Sequence, residues 1–396
     1  MSWLKKLIVV MLLLPSLNCW AVTVRTYNSV KEMVSDKSIK NGDVLETFNY
    51  YDLKGGGGRY VVANAAGDKD FSIALKNGLF AVLQHNNTIN VLQLGVKNDQ
   101  SQDCSAIINS AIEKLAGHGG TLFFPIGGYL VSQIRINNSV IIRGDESSYW
   151  NQGTMFFCHS KEDMIVIDAQ NVRIENIFFV GNQFNNTAIK AVASQNRSGL
   201  HINNVHVNKF KNGIMTDRFF LSDISYSRCA NCDIGFSINN ATSFKLYQTW
   251  ALICEKGYEL LNSTYLNLEG CCCDQSTEGY YIEGVKGIQL NSCSCEVSKE
   301  LPLNVNNSTV TITNFVGYKN NTGRKESASL MFARNSVITM IGCCDKDQNV
   351  ISCNNSVKLE KVTLSVDGCE FIKPIFADKK TSISGSYVSN YKKISF

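Results

Sequence analysis

A 22-residue repeat runs through the middle of the chain and limits what it can fold into. Gly213, Gly235, Gly257 and Gly279 recur at this spacing, and an apolar residue follows each of them directly. A period of this length accommodates three strands of about 4–5 residues joined by turns, with each coil about 4.8 Å above the last. Equivalent side chains would then stack on one another. The glycine column marks a bend where the backbone is crowded or left-handed.

Cysteine follows the same period at two other positions. The first column holds Ser227, Thr249, Cys271, Cys293 and Phe315, and the second holds Cys229, Ala251, Cys273, Cys295 and Gly317. Alternate residues of a strand point the same way, so both columns are predicted to line the interior as small buried residues. Disulfides are the alternative in an exported protein. A zinc site is not indicated, because paired cysteine spacings and clustered histidines are lacking.

Asparagine recurs at another bend, shortly before a new apolar strand. These residues are Asn138, Asn171, Asn240, Asn307, Asn335 and Asn355. Asparagine tolerates left-handed backbone angles and can hydrogen-bond within a stack. An antiparallel sandwich is the competing fold, but it gives no reason for a constant 22-residue register. The sequence therefore predicts an all-β fold, a right-handed parallel β-helix built as a single-stranded solenoid.

Residues 1–21 read as a secretory signal peptide, with Lys5 and Lys6 before an apolar run and Ala21 at a plausible cleavage point. We therefore expect an exported protein that is secreted, periplasmic or held at the cell surface. The apolar run is much shorter than the roughly 20 residues of a membrane span, so no stable span is expected in the mature chain. Removing both lysines lowers the formal charge from +4 to +2. That balance argues against nucleic acid as a partner.

One amphipathic helix precedes the repeat. Residues 104–116 place apolar side chains at helical spacing, and Asp103 can cap the helix. Gly117 ends it, and strands follow. We expect the helix to cover the open end of the solenoid, which would otherwise expose apolar interior and unpaired edges.

The front of the chain resembles a known family. Residues 90–99, the helix, and the stretch Gly119-Gly-Thr-Leu-Phe-Phe-Pro-Ile-Gly-Gly-Tyr-Leu-Val-Ser132 resemble the opening of the pectate lyase superfamily, β-helix proteins that include polygalacturonase-related hydrolases and phage tailspikes. Residues 41–62 are similar to the small module that precedes the β-helix in many tailspikes and capsule depolymerases. After the predicted signal peptide (1–21), the resemblance implies a small tailspike-like module (22–89) and a β-helix domain (90–396).

Two features depart from the family pattern. The turn before the helix, residues 97–103, lacks the usual glycine. A signal peptide is also unexpected for a phage tail component. The resemblance thus implies an exported bacterial relative of prophage descent, with a homotrimer suggested by analogy with tailspikes alone. No part of the sequence matches the catalytic motif of a pectate lyase or a polygalacturonase.

The repeat nevertheless sorts side chains by face. In the strand after each repeated glycine, the first and third positions are predicted to face inward and the second and fourth outward. The outward second positions are Met215, Ser237, Glu259 and Tyr281, and the outward fourth positions are Asp217, Asn239, Leu261 and Glu283. Asp168 falls in a similar phase two coils earlier. This face is therefore predicted to carry several carboxylates.

Glu259 and Glu283 are the predicted catalytic pair. They lie on adjacent coils, offset by two residues, so their backbones should be about 8 Å apart. Inverting glycosidases hold their two carboxyl groups roughly 6.5–9.5 Å apart, one as acid and one as base. Asp217 is a third catalytic candidate, and Tyr281, Asn239 and Asp168 are predicted to bind substrate. The alternative is that exposed acids serve only solubility.

Other charged residues are predicted to be structural. Lys256 and Glu278 are one period apart and should stack as a surface ion pair. His201 and His206 differ in parity along one strand and should face opposite ways, so neither a histidine nucleophile nor a metal site is predicted.

We therefore expect a carbohydrate-active β-helix that cleaves an acidic or complex polysaccharide as a hydrolase or a lyase. No cofactor is predicted for a hydrolase, and Ca²⁺ is a candidate if the enzyme is a lyase. The alternative, from a different class, is a non-catalytic carbohydrate-binding or adhesin-like β-helix of prophage tailspike descent.

Overall fold

The computed structural model describes residues 24–67, 71–117, 119–146, 153–182, 186–320, 322, 330–345, 356–389 and 392–395. The predicted signal peptide and Asn355 lie outside the described residues. The chain divides into two compact units, one ending at Gln84 and the other beginning at His85.

The first unit contains a five-stranded sheet and one short helix. Its strands are β1 (Val24–Ser29), β2 (Val44–Asn49), β3 (Arg59–Ala63), β4 (Ser72–Ala74) and β5 (Phe80–Leu83), in the spatial order β1-β2-β3-β5-β4. Helix α1 (Val30–Ser35) connects β1 to β2, which run parallel, whereas the other pairs are antiparallel. Met33, Leu45 and Ala81 are fully buried and form the centre of this small core.

The second unit begins with the elements that precede the repeat. A 3₁₀ helix (Val91–Leu94) follows the first solenoid strand, and helix α2 spans Ser105–Lys114. The residue at the N-cap is Cys104, one after the predicted Asp103, but an Asp103 carboxylate oxygen still accepts a hydrogen bond of 2.8 Å from the amide of Ser105, the first residue of the helix. Ile108 and Ile112 are buried, and α2 packs against the Ile134–Ile136 strand. The predicted capping helix is therefore present at the front of the solenoid.

The described solenoid contains 33 strands joined in one continuous ladder. In chain order they are β6 (Thr88–Asn90), β7 (Asp99–Asp103), β8 (Thr121–Phe124), β9 (Gly127–Val131), β10 (Ile134–Ile136), β11 (Ile141–Gly144), β12 (Thr154–Cys158), β13 (Ile165–Ile167), β14 (Val172–Val180), β15 (Thr187–Ser198), β16 (Leu200–Asn208), β17 (Asn212–Ser225), β18 (Arg228–Ala230), β19 (Ile234–Asn239), β20 (Thr242–Tyr247), β21 (Trp250–Leu252), β22 (Lys256–Leu261), β23 (Thr264–Glu269), β24 (Cys272–Asp274), β25 (Glu278–Glu283), β26 (Lys286–Asn291), β27 (Ser294–Glu296), β28 (Leu301–Asn306), β29 (Thr309–Thr313), β30 (Val316–Tyr318), β31 (Met331–Arg334), β32 (Val337–Ile341), β33 (Cys344–Asp345), β34 (Val357–Glu360), β35 (Thr363–Phe371), β36 (Ile375–Ala377), β37 (Ser382–Ser389) and β38 (Lys392–Ser395).

These strands form three long faces, because each strand pairs mainly with the strand one coil away. Sheet A contains the strands that follow the glycine column, including β19, β22, β25 and β28. Sheet B contains β20, β23, β26 and β29, and sheet C contains β18, β21, β24, β27 and β30. The ladders between coils are parallel, and only the terminal pair β37–β38 of the described solenoid is antiparallel.

The register confirms the predicted repeat. Asn212, Ile234, Lys256 and Glu278 are successive partners in sheet A, each one period after the last. Later coils vary in length, since Glu278 pairs with Leu301. The solenoid has about 15 turns and is the right-handed parallel β-helix that the sequence predicts.

The interior of the central coils is filled by stacked side chains. Rings of Phe236, Tyr258 and Tyr280 stack at centroid distances of 5.2 and 4.6 Å, almost parallel. The predicted cysteine columns also point inward, because Cys229, Cys271, Cys273, Cys293 and Cys295 are all buried. Such stacking gives the interior the close packing of an ordinary protein core.

The predicted asparagine bends are present at several turns. Asn171, Asn240, Asn307 and Asn335 all have φ between 48° and 54°, in the left-handed region. Asn138 does not have a positive φ, so it does not share this conformation. Within the described chain, no helix is long and apolar enough to cross a membrane.

Candidate functional site

Two columns of outward side chains define the surface that we call the sheet A face. The first column contains Met215, Ser237, Glu259, Tyr281 and Asn304, and the second contains Asp217, Asn239, Leu261, Glu283 and Asn306. Each residue is paired in register with the next one in its column. The strand after the glycine thus presents the predicted residues on one side.

Glu259 is held in place by its neighbours. One carboxylate oxygen lies 2.9 Å from the Lys256 ammonium, and the other accepts a hydrogen bond of 3.1 Å from the Ser237 hydroxyl. Only 14% of the Glu259 side chain is exposed. A cation and a hydroxyl donor therefore fix the position of this carboxylate.

Tyr281 lies directly above Glu259 and bonds to Glu283. The Tyr281 hydroxyl donates to the Glu283 carboxylate, and this bond, with partial burial, raises the pKa of Tyr281 to about 12. The Lys256 ammonium lies 4.5 Å from the centre of the Tyr281 ring. One face of that ring is therefore already covered by a cation.

The predicted Lys256–Glu278 ion pair is wrong. The two residues are partners in register, but the Lys256 ammonium turns to Glu259 within its own strand. Glu278 instead accepts a hydrogen bond of 3.2 Å from the Asn304 side-chain amide. Asn306 donates to Asn304 at 2.9 Å, so amides continue the polar surface onto the next coil.

The structure brings Glu259 and Glu283 together on adjacent coils. Tyr281 is the register partner of Glu259, and Leu261 is the partner of Glu283. The two carboxylates are thus offset by one coil and two residues, which corresponds to about 8 Å between their backbones. No lysine or arginine of the described chain forms an ion pair with Glu283. One acid of the pair is therefore bound to a cation and the other is not.

Asp217 and Asp168 lie farther along the same face. Asp217 is three coils from Glu283 in its column, about 14 Å along the stack. It accepts a hydrogen bond of 2.8 Å from Asn240. Asp168 follows β13 directly, and hydrogen bonds from Ser194 together with an ion pair to Arg197 at 3.1 Å lower its pKa. Neither residue is within direct reach of the Glu259–Glu283 pair.

Asn239 lies between the two groups. It is the register partner of Asp217 below and Leu261 above. Its side-chain oxygen accepts a hydrogen bond of 3.3 Å from Asn262. Asn239 is therefore placed to extend the polar surface from Glu259 toward Asp217.

Sheet C carries a second acid pair that sequence reasoning missed. Asp274 and Glu296 are register partners on adjacent coils. Burial, with a smaller contribution from the nearby Glu296 charge, raises the pKa of Asp274 to about 6, although the Trp250 indole donates to it at 2.7 Å. Arg228 lies 4.2 Å from the centre of the Trp250 ring. The sequence did contain a signal for this pair: Asp274 and Glu296 directly follow the inward Cys273 and Cys295, so alternation along the strand places both acids outward.

Two histidine clusters do not form a catalytic triad. Ser132 Oγ lies 3.3 Å from His159 Nε2, but Asp103 contacts that hydroxyl and lies 3.6 Å from the same nitrogen. In a triad the carboxylate bonds to the other ring nitrogen. His201 pairs with Asp223. In the described part of the chain, no group of three or more His, Cys, Asp or Glu side chains is arranged to hold a metal ion.

Comparisons with known proteins agree with this architecture. Residues 88–166 match a family model described as rhamnogalacturonase A/epimerase, pectate lyase-like. Among solved structures, tailspike protein 2 of Escherichia coli O157:H7 bacteriophage CAB120 superimposes with a TM-score of 0.61 at 10% identity, over 91% of this chain and 53% of the tailspike. In its fold, this chain is similar to pectate lyase-like parallel β-helix proteins.

Two further structures extend the comparison of this β-helix protein. The gp42 tailspike of Acinetobacter phage vb_AbaP_AS12 gives a TM-score of 0.61 at 15% identity, over 95% of this chain and 76% of that one. The catalytic unit of a GH87 α-1,3-glucanase from Streptomyces thermodiastaticus strain HF3-3 gives 0.56 at 11% identity, over 78% and 71%. The chain spans about half the length of the first tailspike. No protein with a curated description matches the sequence.

Proposed function

We propose that the protein is exported and hydrolyses a polysaccharide that binds along the sheet A face. The observation that carries this proposal is the placement of Glu259 and Glu283 on adjacent coils, offset by two residues in register, which corresponds to about 8 Å between their backbones. Two glutamate side chains on backbones at this separation can reach the roughly 6.5–9.5 Å between carboxyl groups that inverting glycosidases use. Similarity in fold to two phage tailspikes and a glucanase supports a carbohydrate substrate.

The environments of the two carboxyl groups suggest different roles. Glu259, which Lys256 and Ser237 hold in place, would act as the base and remove a proton from the attacking water. Glu283, whose carboxylate accepts a hydrogen bond from Tyr281, would take up a proton from solvent before it donates that proton to the leaving glycosidic oxygen as the bond to the anomeric carbon breaks. Water then supplies the new hydroxyl group on that carbon. Each acid ends the reaction with the opposite protonation state and must exchange a proton with solvent.

The remaining predicted residues would bind the glycan beyond the cleavage point. Tyr281 offers its partly exposed ring, while Asn239 and Asn304 offer side-chain amides to sugar hydroxyls. Asp217 and Asp168 would contact sugar units farther along the same face, since they lie on earlier coils. A polymer rather than a small sugar is needed to reach all of them.

One observation favours the alternative, a non-catalytic carbohydrate-binding β-helix. Lys256 neutralises Glu259 and also covers one face of Tyr281, an arrangement that would equally serve as a static polar surface. The two functions differ in their products. A binding protein would retain glycans without cutting them.

The test is a screen of purified protein against bacterial capsules and plant pectins, following reducing ends and the absorbance of unsaturated uronides. Glu259→Gln and Glu283→Gln should each reduce turnover by at least about 100-fold, the scale of general acid–base catalysis, with nearly unchanged thermal midpoints. Full activity in both variants would remove the pair from the mechanism. Retained glycan binding without any product would establish the alternative.

The sheet C pair provides the matched control. Asp274→Asn and Glu296→Gln change the same chemical groups on a different face, so turnover should survive in both. Loss of turnover there, with activity intact in the Glu259 and Glu283 variants, would move the catalytic centre to sheet C. Asp274 already has the raised pKa expected of a catalytic acid, which makes this comparison decisive.

Three accompanying proposals can be measured on the same protein. A hydrolase of this kind needs no cofactor, so chelation with EDTA should leave the rate unchanged, whereas a Ca²⁺-dependent lyase would stop. A homotrimer, proposed from the tailspike likeness, would be seen by light scattering. Fractionation of the producing cells would test export.

A further inference from the structure

A cavity of about 450 Å³ lies at the turn between sheets A and B. Tyr265, Lys286, Asn307 and Thr309 contribute to its lining. Lys286 comes three residues after Glu283 along the chain, and Asn307 directly follows the outward Asn306. The cavity therefore opens where strands of the sheet A face end, next to the proposed catalytic pair.

Tyr265 lines this cavity, and the local structure does not explain why a tyrosine stands at this position. Its φ is 53°, in the left-handed region that bulky residues avoid, and 71% of its surface is exposed. The equivalent positions of neighbouring coils hold Ser243 and Gly287, also at positive φ. Neither backbone preference nor burial in the core selects a tyrosine at this position.

Gly287 leaves the Tyr265 ring accessible. A Cβ atom at Gly287 would lie 3.6 Å from Tyr265 Cδ1, so a longer side chain would cover part of the ring. An exposed aromatic ring beside hydroxyl and amide groups suits a sugar, whose C–H groups pack on the ring while its hydroxyls find hydrogen-bond partners.

Lys286 adds a positive charge to the same cavity. Its register partners, Thr264 on the coil below and Thr309 on the coil above, are both uncharged. The side chain is exposed, and no acid of the described chain forms an ion pair with it. Asn307 accepts a hydrogen bond of 3.3 Å from Asn335 through its oxygen, a bond that does not use its amide N–H groups.

We propose that this cavity binds one carboxylate-bearing sugar unit of the polysaccharide. The sugar ring packs on Tyr265, its carboxylate pairs with Lys286, and Asn307 and Thr309 bond its hydroxyls. This inference rests on the proposed function for the identity of the polymer, but it concerns binding only. Tyr265 and Lys286 become specificity-determining residues for acidic glycans.

Saturation-transfer NMR on the full chain tests the proposal, with sodium D-galacturonate and D-glucuronate as acidic probes and D-galactose and D-glucose as neutral ones. The unmodified protein should bind at least one uronate more tightly than its neutral counterpart. Tyr265→Ala should weaken uronate binding about fivefold, and Lys286→Gln should abolish the preference for the acid. Equal signals from acidic and neutral sugars, or uronate binding unchanged in both variants, would overturn it.

A glycine substitution separates binding from a structural role. Tyr265→Gly relieves the left-handed conformation, so it should raise the thermal midpoint while it weakens uronate binding. Leu221→Gly, at the equivalent position two coils earlier, should raise the midpoint and leave binding unchanged. A lowered midpoint for Tyr265→Gly with intact binding would show that the tyrosine is structural.

Uronate binding in this cavity can be tested independently of catalysis. A Glu259→Gln/Glu283→Gln double variant should still bind the uronate, because neither carboxylate lines the cavity. If no glycan is cleaved but uronate binding depends on Tyr265, the proposed hydrolysis fails and the binding site stands.

Discussion

Glycine and cysteine recur together in the central coils because each fits the space beside the other. A Cβ atom at Gly257 would lie 2.3 Å from the Cys273 sulfur, and one at Gly279 would lie 2.7 Å from the Cys295 sulfur. Neither of these glycines has a positive φ. The glycine column is therefore required by crowding, not by a left-handed bend, and it explains why the two columns share one period.

Asp274 provides a pH-dependent prediction at the scale of one residue. Its pKa is raised from the usual 3.8 to about 6, so the folded state favours the protonated form. Its contribution to stability is present below about pH 4 and is lost as the pH rises through about 6. Asp274→Asn should therefore match the unmodified protein at pH 4 and exceed it by about 1–2 kcal/mol at pH 7, after allowance for partial exposure.

Urea unfolding of both proteins at pH 4, 5, 6 and 7 measures this difference. Asparagine keeps an oxygen that can accept the Trp250 indole bond, so the comparison isolates the charge. A constant gap across the pH range would contradict a raised pKa for Asp274.

Individual contacts on the sheet A face were only partly predictable. Alternation along a strand places Glu259 and Glu283 outward, and the structure agrees. The partner of Lys256 could not be predicted, because Glu259 in the same strand and Glu278 on the next coil both lie within reach of its long side chain. Period and parity fix a position on a face but not the direction that a flexible side chain takes.

At the scale of elements, left-handed residues bend strands from one sheet into the next. Asn204 has a φ of 50° in the middle of β16, so His201 lies on sheet B and His206 on sheet C. Both point outward, and the prediction that they face opposite ways is wrong. Parity counts only within an unbroken strand, and the sequence alone did not reveal that Asn204 interrupts this one.

Inward tyrosines connect sheet A to sheet C across the interior. The buried Tyr280 hydroxyl is 2.8 Å from the Cys271 carbonyl oxygen and 3.0 Å from that of Ser294. Tyr280→Phe removes this donor while keeping the stacked ring, so the free energy of unfolding should fall by about 1–2 kcal/mol. Tyr265→Phe, whose hydroxyl belongs to an exposed side chain, is the matched control and should change little. Equal stability of both variants in urea would show that the buried bond contributes nothing.

At the scale of the whole molecule, the solenoid could be predicted because its repeat is a property of the sequence itself. The 22-residue spacing of the glycine and cysteine columns reappears as the register of sheets A and C. Coils outside the central region depart from that period in both directions. The coil from Ile134 to its partner Ile165 is longer, and the coil from Val357 to its partner Ile375 is shorter. Those coils have no constant spacing from which their register could be read.

A constant register predicts that one whole coil can be removed. Deleting Ile234–Glu255 takes out one full period and joins Asp233 to Lys256, so Asn212 would take Lys256 as its new partner in sheet A. Because each coil contacts mainly its neighbours, the shortened chain should fold cooperatively, with stability lower by about 2 kcal/mol at roughly 0.1 kcal/mol per residue. Deleting only Ile234–Phe244 removes half a period and would place sheet B residues where sheet A residues are needed. That variant should lose its cooperative transition, as judged by circular dichroism during urea unfolding. If both deletions unfold, or both fold equally well, the three sheets do not depend on a 22-residue register.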